Sequence, residues 1–199
     1  MPDGSPHPPA PAADIHASAI NLPNIITFAR LCAVPMAVWV VLHGYFHTAF
    51  WLFAAAGVSD AIDGWLARRR GPTPVGAVLD AIADKALLVS MYITLAAAQA
   101  LPDWLAILVV FRDLVIVGGV LLLFLIGQPV PIRPLAISKL NTTLQIVLVA
   151  MTLLLEGLGV QWPHLSFVLI WCVAATTLLS GAAYVARAVH PARAQAPPA

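Results

Sequence analysis

Apolar runs of roughly 20 residues recur along this chain, separated by short polar or Pro/Gly breaks, and 20 helical residues are what it takes to cross about 30 Å of hydrocarbon. Six such runs cover residues 25–42, 46–66, 77–98, 104–126, 140–155 and 165–189. Barrel strands would be shorter, about 9–11 residues, and would alternate in polarity. The pattern therefore predicts an all-α integral membrane protein with six transmembrane helices. Composition agrees, since 61% of the residues are hydrophobic and only 10% charged, against about 25% charged in a soluble domain. A formal net charge of +1 gives no basic footprint for nucleic acid.

Residues 1–20 are rich in Pro and Ala, contain Asp3 and Asp14, and lack Lys and Arg. A secretory signal or mitochondrial transit peptide needs early positive charge, so this stretch reads as a disordered tail. Residues 191–199 read the same way. One six-helix transmembrane catalytic domain, residues 21–190, lies between them. Arg68, Arg69 and Arg70 follow the second run, Arg133 and Lys139 lie between the fourth and fifth, and Arg187 and Arg193 come at the end. The breaks near His43, Asp103 and Glu156 carry no basic residue. Positive charge stays on the cytoplasmic side, so both termini and the Arg68–Arg70 segment are expected there, in a bacterial inner membrane. Cys32 and Cys172 read as packed free thiols. His43 and His47 read as interfacial residues. Gly118, Gly119 and Gly181 mark close helix packing.

Four of the nine acidic residues sit within one stretch, as Asp60 with Asp63 and Asp80 with Asp84. Three- and four-residue spacings put each pair on one helix face. A single acid at a lipid-exposed membrane centre costs roughly 2.5–3.5 kcal/mol, so these must face the bundle interior or the water boundary and be neutralised there. Two divalent cations would balance four carboxylates, and all-oxygen ligands suit Mg²⁺ or Mn²⁺. Arg68 adds a planar fork for phosphate oxygens, and the small Gly64 and Ala67 leave room for a bulky ligand. Such a set could hold a phosphate or pyrophosphate at the membrane surface and clamp an in-line displacement at phosphorus. Arg30, Lys85 and Arg112 are further ionisable residues inside apolar runs, and so candidate functional groups. A small transporter is the non-enzymatic reading. Transporters often carry an internal repeat with a site at the midplane, whereas here the acid cluster has no second copy and lies toward one surface.

Asp60, Asp63, Gly64, Ala67, Arg68, Gly76, Asp80 and Asp84 together resemble the signature of the CDP-alcohol phosphatidyltransferases, Asp-x2-Asp-Gly-x2-Ala-Arg-x8-Gly-x3-Asp-x3-Asp. One residue fewer than usual separates Arg68 from Gly76, in the turn between helices. Pro23, Asn24, Thr27 and Arg30 are similar to the family's N-terminal Pro-Asn-x2-Thr-x2-Arg segment. The resemblance implies a homodimeric six-helix enzyme that attacks the β-phosphorus of a CDP-linked lipid and releases CMP. It implies that Asp60, Asp63, Asp80 and Asp84 hold two metal ions, with Asp84 also the catalytic base. Gly64, Ala67, Arg68 and Gly76 would contact the CDP portion of CDP-diacylglycerol. Phe111-Arg112-Asp113 and the run from Ile137 to Gln145 resemble segments of the family's CMP-forming cardiolipin synthase branch. Asn141 stands where the phosphatidylglycerophosphate synthase branch typically has a second lysine. Phosphatidylglycerol is therefore the expected acceptor and glycerol 3-phosphate the alternative, with Arg112, Arg133, Lys139 and Asn141 as candidate acceptor-binding residues.

Overall fold

The computed structural model describes residues 22–70, 74–125 and 136–189, with side-chain surroundings for 29–62, 83–119 and 136–186. Both tails and most of the break around Arg133 lie outside the described residues. Six helices account for the described fold: α1 Leu22–Leu42, α2 Phe46–Arg70, α3 Pro74–Ala97, α4 Asp103–Leu125, α5 Ala136–Leu158 and α6 Pro163–Val189. Each corresponds to one apolar run, and most outrun it. α2 continues through Arg68, Arg69 and Arg70, and α5 begins before Ser138 and Lys139 and includes Glu156. Backbone hydrogen bonding carries a helix past the end of its apolar stripe until capping chemistry stops it. Pro74 and Pro163 open α3 and α6, positions where a missing N–H costs nothing.

Three helices stop in the same way. At the end of α1, Gly44 N–H donates to the Val41 carbonyl and Tyr45 N–H to that of Val40. At the end of α5, Gly159 N–H reaches Glu156 and Val160 N–H reaches Leu155. At the end of α3, Gln99 N–H reaches Ala96 and Ala100 N–H reaches Leu95. These are paired Schellman bonds, which need a left-handed residue at their centre. Gly44, Gly159 and Gln99 supply it, at φ of 79°, 65° and 59°.

The helices close into a ring in which each touches two neighbours, in the order α1, α2, α5, α6, α4, α3 and back to α1, with α3 also meeting α5 across the middle. The core inside it includes Val41, Ala49, Met91, Tyr92, Leu95, Leu105, Val109, Leu148, Leu153 and Val173. The outer surface is apolar too: Ile107, Phe111, Leu114, Phe167 and Leu178 are all exposed. An outward apolar face around a buried core is what lipid solvates. Among the described residues, the stretches Ala136–Leu158 and Pro163–Ala186 are by themselves long and apolar enough to cross a membrane. Exposed Trp39, Tyr45, Trp51, Trp104, Trp162 and Trp171 gather at the end formed by the α1–α2, α3–α4 and α5–α6 connections, as in an interfacial aromatic belt. His43 and His47 are exposed within it, beside Trp39 and Trp51.

Two packing expectations are corrected. Cys32 and Cys172 are free but exposed on the apolar surface, not packed inside. Gly118 and Gly119 have open space where a Cβ would stand, while Gly181 makes ordinary contact with the Arg112 side chain. The close approach occurs at Gly157, where a Cβ would lie 2.6 Å from the His47 backbone nitrogen. There α5 meets the start of α2 backbone to backbone.

Candidate active site

The opposite end of the bundle holds the charge. Arg30, buried on α1, donates from Nη1 to Asp60 Oδ1 on α2 at 2.9 Å and to Asp84 Oδ1 on α3 at 2.8 Å. Because α1 packs between α2 and α3, one guanidinium joins an acid from each side. Asp60 and Asp84 are only partly buried, so both remain within reach of a ligand at this end.

Lys85, the next residue on α3, turns the other way. Its Nζ donates to Asp113 Oδ2 at 2.6 Å. The other oxygen of Asp113 accepts from Arg112 Nη1 at 2.7 Å. Adjacent helical residues do not ordinarily face one another; the long Arg112 side chain folds back to make this pair. Arg112 Nη2 donates to Ser138 Oγ on α5 and, in a short hydrogen bond, to Ser180 Oγ on α6. The Tyr184 ring lies 6.0 Å from the guanidinium carbon. Alternating charges thus cross the ring, with Asp60, Arg30 and Asp84 on one side and Lys85, Asp113 and Arg112 on the other. In a low-dielectric bundle such alternation offsets the cost of burying each ion.

The expected site residues fall into three groups. Asp60 and Asp84 come together through Arg30. Asp63, Gly64, Ala67 and Arg68 lie on α2, and Gly76 and Asp80 on α3, but their side chains are outside the described set, as is Arg133 altogether. Of the acceptor candidates, Lys139 is exposed and Arg112 is buried among its partners. Asn141 is fully buried, and its Oδ1 accepts from Thr176 and Thr177 of α6 at 2.9 and 2.8 Å. Asp113 and Ser138 stood in segments read as resembling the family but were given no site role of their own, and Ser180 was not singled out. Asp113 showed as an acid beside Arg112 in an apolar run, whereas Ser180 gave no signal.

Carboxylates from two helices converging on one nitrogen supply the hard oxygen donors that Mg²⁺ or Mn²⁺ prefers, so Asp60 and Asp84 fit the expected ions. No group of three or more acidic, His or Cys side chains forms among the described residues; Asp63 and Asp80 are not among the side chains described.

Residues 20–179 match the CDP-alcohol phosphatidyltransferase family, and the chain belongs to it. It is 35% identical, over 83% of its length, to a chloroplastic CDP-diacylglycerol–glycerol-3-phosphate 3-phosphatidyltransferase of Oryza sativa. It is 34% identical, over 82%, to a Schizosaccharomyces pombe protein named as a CMP-forming cardiolipin synthase fused to a mitochondrial hydrolase. A CDP-diacylglycerol–glycerol-3-phosphate 3-phosphatidyltransferase of Cereibacter sphaeroides is 30% identical over 85% of the chain. The matched region spans 56% and 30% of the first two relatives and 96% of the third.

Proposed function

We propose that this chain transfers the phosphatidyl group of CDP-diacylglycerol to an acceptor hydroxyl, with release of CMP, and that the acceptor is phosphatidylglycerol. The observation that carries the reading is the eight-residue signature from Asp60 to Asp84, whose first and last acids meet through Arg30. Asp60, Asp63, Asp80 and Asp84 would hold two Mg²⁺ or Mn²⁺ ions, which when bound neutralise the diphosphate and the charge developing on its transferred phosphorus. Gly64, Ala67, Arg68 and Gly76 bind the CDP portion. The acceptor oxygen attacks the β-phosphorus, the bond from phosphorus to the CMP oxygen breaks, and Asp84 takes the hydroxyl proton. Arg30 fixes Asp84 relative to Asp60 through this step. The enzyme works as a homodimer in a bacterial inner membrane, with six spans and with its termini and charged end toward the cytoplasm. The basic residues in the last turns of α2 and α6 support that orientation.

The acceptor assignment rests on charge. A small, nearly dianionic acceptor such as glycerol 3-phosphate favours several converging cations. Here Arg112 is engaged by Asp113, Ser138 and Ser180, and the neutral Asn141 is engaged by two threonines. Lys139 is exposed. A lipid acceptor is positioned partly by its chains and needs fewer ionic contacts. Glycerol 3-phosphate is the second reading, favoured by the names of the rice and Cereibacter relatives.

The test supplies purified protein with CDP-diacylglycerol, Mg²⁺ or Mn²⁺, and either acceptor, and follows CMP and lipid products. Cardiolipin is the expected product. Phosphatidylglycerophosphate without cardiolipin would overturn the acceptor assignment and leave the transferase reading standing. Asp63→Ala should abolish turnover in folded protein, and Asp84→Asn should lose turnover while still binding CDP-diacylglycerol. Normal turnover by Asp63→Ala would overturn the transferase mechanism itself. Arg112→Ala and Lys139→Ala should raise the acceptor KM well above any change in that for CDP-diacylglycerol.

A further inference from the structure

A line of polar side chains runs from the charged end into the middle of the bundle. On α5, Ser138, Asn141 and Gln145 stand at successive turns of one face, and on α6 Ser180 and Thr177 do the same. Arg112 joins the two serines, and Thr177 donates to Asn141. Gln145 lies seven residues beyond Ser138, about 10 Å of helix deeper. It has no exposed surface, and neither its Nε2 nor its Oε1 has a protein partner. Asn141 Nδ2, one turn away and equally buried, also lacks one, as does Arg112 Nε. The Tyr92 hydroxyl reaches across from α3 to the Gln145 backbone carbonyl at 3.3 Å.

An unpartnered amide buried in an apolar core loses its hydration without replacement. Four such atoms along one seam need a ligand that both donates and accepts. A free donor and a free acceptor on one carboxamide match a hydroxyl group or a water molecule. Gln145 has no exposed surface, which excludes a bulky headgroup and leaves water, the usual satisfier of buried polar atoms.

We infer that the α5–α6 seam binds ordered water, held by Gln145 and Asn141 in the centre of the bundle and continuous with the polar groups around Arg112. The seam is a wet column in an otherwise dry core, and the inference does not rest on the reaction proposed above.

Radiolytic hydroxyl-radical labelling of the full chain in lipid nanodiscs tests this, because radicals generated from bound water oxidise the side chains beside it. Tyr92 has no exposed surface, yet it should be modified in the unaltered protein, whereas Leu95, one turn beyond it in the dry core, should not. Gln145→Leu should abolish labelling of Tyr92 while leaving that of exposed Trp104 unchanged. Gln145→Met serves the same purpose should the branched leucine prevent folding. Absence of Tyr92 labelling in the unaltered protein would overturn the inference without recourse to any variant. Labelling that persists unchanged in a folded Gln145 variant would overturn it as well.

Discussion

A guanidinium set between two carboxylates does what an ammonium cannot. Arg30 presents a planar, rigid fork, whereas lysine presents a compact point charge on a flexible stem. Arg30→Lys should therefore keep the charge balance and lose the fixed spacing of Asp60 and Asp84. The expected result is protein that inserts and melts nearly as before, with CMP release slowed about tenfold or more, a change of about 1.4 kcal/mol in barrier. Comparing kcat with thermal stability checks it; unchanged kcat would mean that Arg30 only neutralises charge. The two acids at the ends of the signature could be read from their spacing alone, because three- and four-residue separations are local geometry. Their link to Arg30 could not, since 30 and 54 residues separate the partners and only the packing of α1 between α2 and α3 unites them. The pairing of Asp113 with Lys85 was hidden for the same reason. That bond spans 28 residues, and the bond of Asp113 to Arg112 runs against the usual rule for neighbours on a helix.

The repeated cap at the ends of α1, α3 and α5 has one irregular member. Gly44 and Gly159 take the left-handed conformation freely, but Gln99 carries a Cβ into it at φ 59°. Gln99→Gly should relieve that strain and stabilise the protein by about 0.5–1 kcal/mol after the extra chain entropy of glycine is set against it. Gly157→Ala should act in the opposite sense. Its methyl would press on the His47 backbone, which no rotamer change relieves, at a cost of about 1–3 kcal/mol. Thermal unfolding in one detergent measures both, and a Gly157→Ala protein as stable as its parent would mean that α2 and α5 can part at no cost. All six helices were legible in the apolar runs because the runs are long, and length is visible in a sequence. The ends were less so, since α2 and α5 extend into charged residues that no hydrophobic pattern marks. Nor did glycine content reveal the tight crossing: Gly118 and Gly119 face open space, while Gly157 sits at the contact.

For the molecule as a whole, the basic residues and the ion-paired array lie at one end of the ring and the exposed Trp rings at the other. That polarity predicts its orientation in a bilayer. In a background without Cys32 and Cys172, which are surface residues, Thr73→Cys should react with an impermeant reagent from the cytoplasmic side. His43→Cys and Asp103→Cys should react only from the opposite side. The reverse pattern would show that the basic residues do not set the orientation and would place CMP release outside the cytoplasm. The ring order was not legible in the sequence. Consecutive hairpins would place α2 beside α3, yet α1 stands between them, and each helix's neighbours depend on side-chain fit around the whole closed circle.

That interposition bears on how the chain is made. Domains emerge from the ribosome N-terminus first, so the cation of α1 is in place before either acid that it binds. Asp60 then arrives on α2 to meet it. α3 brings Asp84 together with Lys85, and α4 brings Arg112 together with Asp113, so each of these two carries its compensating charge in the neighbouring residue. Among the charges of the described array, the running sum never exceeds one at any stage of synthesis. The described array of six alternating charges can thus be assembled one helix at a time, never more than one charge out of balance.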